Sequence, residues 1–259
     1  MSRKIDVVVV NRIVPEALEA LRAVDPRLNV IDASDLARLE RNGDPSRSKE
    51  LDEILGLAEV VYALKLPERL LDRAPRLRWI QTISTGVDKI LTPELAASRL
   101  TVTNMSGIHE TTIAEYVLMV MLMFVKQMPR SFYQQIEGRW KWYPVDVREG
   151  ETVGVIGLGR MGREVARVCK LFNMRVVATR RSAVTRESAD NVDTMYSLSA
   201  LHDLLGVSDF VVLALPLTSE SAGLISEPEF RAMKQSARII NVARGEIIDE
   251  PVLDRKSTR

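Results

Sequence analysis

The sequence predicts an α/β protein of two domains. Short runs rich in β-branched residues alternate with helix-compatible segments along the chain. A glycine-rich turn at residues 157–162 separates an apolar run from an amphipathic one. The chain has 259 residues, of which 46% are hydrophobic, and this is enough for two cores. We place an α/β domain at residues 1–105, a linker with a long helix at 106–149, and a second α/β domain at 150–259.

The first block alternates strands and helices. A helix is predicted from Pro15, because proline favours the first helical turn. Apolar or β-branched runs predict strands at residues 7–10, 29–31, 60–62, 77–82 and 101–104.

The linker opens with a long apolar segment, residues 111–126. It predicts a helix that Thr111 or Thr112 could cap, and that links the domains or lines a dimer interface. Residues 134–149 contain tryptophan and proline and predict irregular structure. Later in the chain we expect strands at 210–215 and 238–242 and an amphipathic helix at 197–205.

The most informative stretch is residues 152–163, TVGVIGLGRMGR. An apolar strand runs into Gly157, Gly159 and Gly162 in G-x-G-x-x-G spacing, a helical pattern follows, and residues 175–179 supply the next strand. Such a turn brings backbone amides and a helix N-terminus against a pyrophosphate, although a glycine triplet can also be a coincidental turn. The predicted dinucleotide-binding turn comprises Gly157, Leu158, Gly159, Arg160, Met161 and Gly162.

The end of the second strand distinguishes between dinucleotides. An NAD-selective site carries an acidic residue there for the ribose 2′-hydroxyl, whereas this chain has Arg180 and Arg181. Guanidinium groups bind a 2′-phosphate in bidentate geometry. The sequence therefore favours NADP over NAD. The alternative is that both arginines merely solubilise a surface loop.

Composition excludes several classes of function. A net charge of +1 without a dense basic run argues against a nucleic-acid or anionic-membrane partner. Cys169 is the only cysteine, so no internal disulfide is possible, and its apolar neighbours indicate a buried core thiol. No signal peptide, membrane span or histidine cluster for a metal is evident. We expect a cytoplasmic protein.

Five motifs occur together: IQTISTGVD at 80–88, NMSGIHETTIAEY at 104–116, the glycine turn, LALPLT at 213–218 and NVARG at 241–245. In this order the chain resembles the D-isomer-specific 2-hydroxyacid dehydrogenase family, most closely the NADP-preferring glyoxylate/hydroxypyruvate reductases. The resemblance implies a flavodoxin-like substrate domain, a Rossmann domain and a homodimer. It also implies hydride transfer between NADP, or NAD, and a small 2-oxoacid or 2-hydroxyacid.

The resemblance also assigns roles to residues. Arg244 corresponds to the family arginine that pairs with the substrate carboxylate and polarises the keto oxygen, a role that suits a fixed guanidinium. Backbone amides of a loop would bind the same carboxylate, and further residues would contact the cofactor. The substrate loop is Ser84, Thr85, Gly86 and Val87, and the further cofactor residues are Leu215, Pro216, Val242 and Ala243. Purely structural roles remain open as alternatives. Arg244 could be an arginine that caps a helix, and the loops could be ordinary turns between strands and helices.

One expected part is missing. The resemblance implies a histidine after Arg244 as general acid, held by a glutamate, because carbonyl reduction needs a proton donor. Residues 245–259 contain no histidine. We expect a truncated or frameshifted chain with an incomplete Rossmann domain and impaired activity. His109 is interpreted as a polar linker residue, with a catalytic role as the less favoured alternative, and His202 as a structural or surface residue. The alternative function is a non-catalytic dinucleotide-binding protein, comparable to corepressors of the same fold.

Overall fold

A computed structural model of the protein describes residues 3–145, 150–180 and 189–257. The chain divides into two units, Met1–Ser106 and Gly107–Arg259. Each unit has its own five-stranded sheet, and every strand pair in both sheets is parallel. The predicted α/β class is therefore confirmed.

The first unit has the strand order β2-β1-β3-β4-β5, which is the flavodoxin-like order. The five predicted strands are all present, with ends that differ by a few residues. In chain order the elements are β1 (Ile5–Val9), α1 (Pro15–Ala23), β2 (Leu28–Asp32), α2 (Ser34–Arg41), α3 (Ser48–Leu57), β3 (Val60–Ala63), α4 (Leu70–Arg73), β4 (Trp79–Thr82), α5 (Pro93–Ala97) and β5 (Thr101–Thr103).

Strand β1 lies in the interior of this sheet, which explains its continuous apolar sequence. Val7, Val8 and Val9 of β1 are buried, and they divide between two clusters on opposite faces of the sheet. Strands of a parallel sheet are covered on both faces and so read as continuous apolar runs rather than alternating ones. Leu51 and Leu55 of α3 are fully buried on one of these faces.

The second unit has the order β10-β9-β6-β7-β8, which is the Rossmann order for five strands. Its elements are α6 (Glu110–Val125), α7 (Met128–Ile136), β6 (Thr152–Ile156), α8 (Arg160–Leu171), β7 (Arg175–Thr179), β8 (Thr194–Tyr196), a 3₁₀ turn (Leu198–Ala200), α9 (Leu201–Val207), β9 (Phe210–Leu213), α10 (Glu227–Ala232), β10 (Arg238–Asn241), a second 3₁₀ turn (Gly245–Ile247) and α11 (Glu250–Ser257).

Helix α6 packs within the second unit. Ala114, Val117 and Met121 are buried in one cluster with Val165 of α8. The predicted threonine cap is wrong: the helix begins at Glu110 with His109 at the N-cap position, so both threonines already lie inside the first turn. The Thr111 hydroxyl instead donates to Glu164 Oε1 of α8 at 3.5 Å.

Three further features of the secondary structure differ from the predictions or were not predicted. Residues 134–136 belong to α7, which has proline in its first turn, where no backbone N–H is needed. Strand β8 was not predicted, because it has three residues and only Met195 is buried. Strands β9 and β10 end at Leu213 and Asn241. The segments after these two strands are therefore loops at the carboxyl edge of the sheet.

Cys169 lies in the core of the second unit, as predicted, with 1% of its surface exposed. Burial raises the pKa of its thiol to about 12, so it stays protonated and unreactive near neutral pH. Among the described helices none is by itself long and apolar enough to span a bilayer. Helices α6 and α7 meet that length and composition only as a pair bent by 69°.

Candidate dinucleotide-binding site

The glycine turn joins β6 to α8 at the centre of the second sheet. Every residue of β6 is buried, and the strand ends at Ile156. Gly157 follows with φ of +99°, a conformation that L side chains rarely adopt. A Cβ at this position would lie 2.7 Å from the Leu215 Cβ and 2.8 Å from the Ala214 carbonyl oxygen. The backbone of the turn therefore touches the loop that follows β9, and glycine is required.

The other two glycines have different surroundings. A Cβ on Gly162 would collide with the carbonyl oxygen of Gly157, so this glycine lets α8 approach the turn. A Cβ on Gly159 would meet no atom within 4 Å. Gly159 is the N-cap of α8 and has no side chain to cap it, so no capping side chain from this residue occupies the first-turn N–H groups beside that open space. Such a space, at the positive end of a helix, fits a phosphate group.

A cavity of about 330 Å³ lies at the carboxyl ends of β6, β7 and β9. The strand order reverses at β6, since β7 lies on one side of it and β9 on the other. Ligands of doubly wound sheets bind in the crevice at such a switch point. The lining is mostly apolar and consists of Ile156, Gly157, Leu158, Gly159, Thr179, Arg180, Leu198, Ala214, Leu215, Pro216, Thr218, Glu220, Ser221 and Leu224.

The loop after β9 is held in shape by its own hydrogen bonds. The Ser221 hydroxyl donates to the Pro216 carbonyl oxygen at 2.7 Å and accepts from the Thr218 N–H at 2.8 Å. The sequence analysis did not identify Thr218, Ser221 or Thr179 as site residues. The sequence does contain one signal for this loop. Thr218 and Ser221 lie three residues apart after a predicted strand, a spacing typical of turns closed by side-chain hydroxyls.

A second, more polar groove of about 690 Å³ shares Leu158 and Arg180 with the cavity. Its four arginines outnumber its three carboxylates, so this basic groove suits an anionic ligand. Its lining comprises Gly107, Ile108, Glu110, Thr111, Leu158, Arg160, Arg163, Glu164, Arg167, Arg180, Ala189, Asp190 and Asn191.

The arginines of this groove differ in their partners. Arg167 donates twice to Glu164, at 2.9 and 2.7 Å, and these bonds lower the pKa of the Glu164 carboxyl. Arg163 Nε lies 3.5 Å from the Leu158 carbonyl oxygen. Arg160 is the first residue of α8, directly after Gly159. Arg180 follows β7 and lines both spaces.

The structure brings together only some of the predicted cofactor residues. Gly157, Leu158, Gly159, Arg180, Leu215 and Pro216 line the cavity, and Arg160 lines the groove. Met161 and Gly162 lie in the first turn of α8 and line neither space. Arg181 lies outside the described residues.

The segment after β10 carries Val242, Ala243 and Arg244, and it lines neither space. Asn241 fixes it locally: its side chain accepts from the Ala243 N–H at 2.9 Å and donates to the Arg244 carbonyl oxygen at 2.7 Å. The Arg244 guanidinium donates to the Ala243 carbonyl oxygen at 2.9 Å. The two Asn241 hydrogen bonds therefore fix the backbone of residues 243 and 244, from which the Arg244 side chain projects.

The predicted substrate loop belongs to the first unit and follows the carboxyl end of β4. The Thr82 and Ser84 hydroxyls are 2.9 Å apart, and Ser84 also donates to the Gly86 carbonyl oxygen. Asn104 donates to the Thr85 carbonyl oxygen at 2.7 Å. Several of the loop's acceptors are thus engaged locally, and Val87 begins the turn that follows.

Both histidines have local surroundings typical of surface residues. His109 is exposed at the N-cap of α6. His202 Nε2 lies 3.0 Å from Glu229 Oε1, and Glu229 also forms the capping box of α10 with Ser226. Burial acts to raise the Glu229 pKa, but hydrogen bonds from His202 and Ser226 outweigh it and lower the value. His202 thus ties α9 to α10.

Comparison with known proteins agrees with this geometry. Residues 118–256 match the family model described as "D-isomer specific 2-hydroxyacid dehydrogenase, NAD binding domain". A glyoxylate reductase of Pyrococcus horikoshii is 30% identical over 95% of this chain and 74% of that protein. One of Thermococcus kodakarensis is 33% identical over 73% of this chain, and the matched part spans 59% of that relative's length.

The fold also matches a solved structure. The NADPH-dependent glyoxylate/hydroxypyruvate reductase of Sinorhizobium meliloti, solved with NADP and sulfate, has a TM-score of 0.78 and 25% identity. The match covers 97% of this chain and 77% of that one.

Gly162 and Gly159 should separate folding from binding. Gly162→Ala should lower the free energy of unfolding by about 1–3 kcal/mol or more, because its Cβ meets backbone. Gly159 has φ of −79° and open space around a Cβ, so Gly159→Ala should lower the melting temperature less than Gly162→Ala does, while dinucleotide affinity falls at least about tenfold. Thermal melts and calorimetric titration measure both. Unchanged dinucleotide affinity in Gly159→Ala would contradict the site.

Proposed function

This chain belongs to the D-isomer specific 2-hydroxyacid dehydrogenase family, and on that premise we propose that it is an oxidoreductase acting on a small 2-oxoacid of the glyoxylate or hydroxypyruvate type. The observation that carries the proposal is the open space at Gly159, at the N-terminus of α8 and at the sheet's switch point. The relatives named glyoxylate reductase support the substrate class.

A bound nicotinamide dinucleotide would supply the hydride. The first-turn N–H groups of α8 and the Arg160 guanidinium would bind its pyrophosphate, since Arg160 follows Gly159 at the start of this helix and lines the groove. The apolar cavity wall formed by Leu215 and Pro216 would pack against a ring of the dinucleotide next to the pyrophosphate and exclude water from it. Val242 and Ala243 are proposed as further cofactor contacts.

Arg244 is the proposed catalytic residue. Its guanidinium would bind the substrate carboxylate in bidentate geometry and stabilise the negative charge that develops on the keto oxygen. The Asn241 hydrogen bonds hold the backbone from which it projects. In the first unit, the backbone amides of Ser84, Thr85, Gly86 and Val87 are proposed to bind substrate carboxylate.

We further propose that NADP is preferred to NAD. Arg180 stands directly after β7, where NAD-selective sites carry a carboxylate, and it lines both the cavity and the groove. A guanidinium at this point would pair with a 2′-phosphate. The cytoplasm is the proposed location, and no nucleic-acid or membrane partner is proposed.

Replacing Arg180 should change the choice of cofactor. The wild type should bind NADPH about tenfold or more tightly than NADH, since charge-assisted phosphate contacts contribute roughly 1.5–3 kcal/mol each. Arg180→Ala should abolish the preference and Arg180→Asp should reverse it. Arg175→Ala is the matched control, because Arg175 starts the same strand at its opposite end. Equal wild-type affinities in a fluorescence titration would overturn the NADP assignment.

A second candidate is dinucleotide binding without efficient catalysis. The 259 residues contain two histidines, and these are the α6 N-cap residue His109 and the Glu229-bound His202. Neither is proposed as the proton donor. Without a positioned acid, reduction slows by about 10²–10⁴-fold.

Purified 259-residue protein should therefore bind NADPH but oxidise it slowly with glyoxylate. Steady-state absorbance at 340 nm measures the rate, and Arg244→Lys should reduce it further through weaker substrate binding. Rapid turnover that is lost in His109→Gln would refute the proposed lack of a proton donor and assign that role to His109.

A homodimer is the proposed assembly. Exposed apolar side chains are concentrated on α6, α7 and the segment that follows, a density typical of an interface. They include Tyr116, Met119, Phe132, Tyr133, Ile136, Trp140 and Trp142.

Light scattering after size exclusion should give twice the chain mass of 29.1 kDa. Ile136→Glu should weaken the dimer, because it places a charge within the proposed apolar interface. Val24→Glu is the control: Val24 is 72% exposed and follows α1 in the first unit, so it belongs to neither α6 nor α7. A monomeric wild type would contradict the proposal, as would a dimer that Ile136→Glu leaves intact.

A further inference from the structure

Gly107 and Arg160 meet at one wall of the basic groove, and we propose that Gly107 positions the Arg160 guanidinium for the dinucleotide phosphates. The inference rests on the proposed cofactor and deepens it. Both residues belong to the second unit and line the same groove. Gly107 contributes no side chain, so it acts through Arg160 rather than on the ligand.

Arg160 can keep its observed place only if residue 107 has no side chain. A Cβ on Gly107 would lie 2.8 Å from Arg160 Nη1, a separation that real Cβ atoms essentially never show. Because the atom it meets is the end of a flexible side chain, the guanidinium would move rather than the helix. Any L residue at position 107 would thus displace the charge that Arg160 presents to the groove.

The backbone at Gly107 adds a second constraint. Its φ is +113°, a value that L side chains rarely adopt, so the segment before α6 needs glycine for its path as well. Gly107 is also the first residue of the second unit, where the chain leaves the first. The Arg160 guanidinium therefore lies close to the first residue of the second unit.

Arg160 is the groove arginine best placed for this role. It is the first residue of α8 and directly follows the N-cap residue Gly159. Arg180 is assigned above to the 2′-phosphate, which NADH lacks. A pyrophosphate is common to both dinucleotides, so loss of the Arg160 contact should weaken NADPH and NADH by the same factor.

The test is a double-mutant cycle on dinucleotide affinity. Gly107→Ala and Arg160→Ala should each raise the Kd for NADPH and for NADH by about tenfold, the lower end for one charge-assisted contact. In the Arg160→Ala background, Gly107→Ala should have no further effect. Calorimetric Kd values and melting temperatures are recorded for all four proteins.

Two further variants guard against a purely structural effect. Gly150→Ala is the matched control, because Gly150 also has positive φ, at +87°, but open space around its Cβ. It should lower the melting temperature without changing either Kd. Gly107→Asn brings the same Cβ with a milder backbone cost, and it replaces Gly107→Ala if that variant does not fold.

The outcomes are distinct. An equal loss of affinity in both backgrounds, or no loss from Gly107→Ala, would overturn the role of Gly107. A loss confined to NADPH would contradict the assignment to the pyrophosphate. If the wild type binds neither dinucleotide, the proposed function fails, and the Gly107 inference, which depends on a bound dinucleotide, is overturned with it.

Discussion

The close approach of α8 to the end of β6 is the constraint on which the second unit depends. Gly162 and Gly157 meet without side chains, and Gly157 also touches the loop after β9. This contact aims the first turn of α8 at the carboxyl edge of the sheet. Because β6 is buried along its whole length and lies between β7 and β9, the helix end opens at the switch point. The cavity and the groove both form around this helix end.

The two spaces beside the glycine turn differ in charge. The cavity beside Leu215 and Pro216 is mainly apolar, whereas the groove beside Arg160 is rich in guanidinium groups. Arg180 contributes to both, and Glu164 neutralises Arg167 farther along α8. An apolar pocket joined to a basic groove matches a ligand with flat rings and phosphates. In our proposal, Arg160 can hold its position in the groove because Gly107 has no side chain that would displace it.

Much of the fold could be predicted from local sequence. The valine runs, the glycine spacing and the helical period after Gly162 each encode one element, and the predicted α/β class and family proved correct. Local signals were insufficient where tertiary contacts decide. Strand β8 has one buried residue, and α7 is followed by tryptophans that suggested a loop. The contact between Gly107 and Arg160 joins residues far apart in sequence, and the groove was missed for that reason.

The most direct test of the central claim is a crystal structure of this protein soaked with NADP. The pyrophosphate should lie within hydrogen-bond distance of the first-turn N–H groups of α8, over Gly159, with the 2′-phosphate at Arg180. Density for the dinucleotide away from the glycine turn, or a pyrophosphate that contacts neither α8 nor Arg160, would contradict the assignment of this helix end as the binding site.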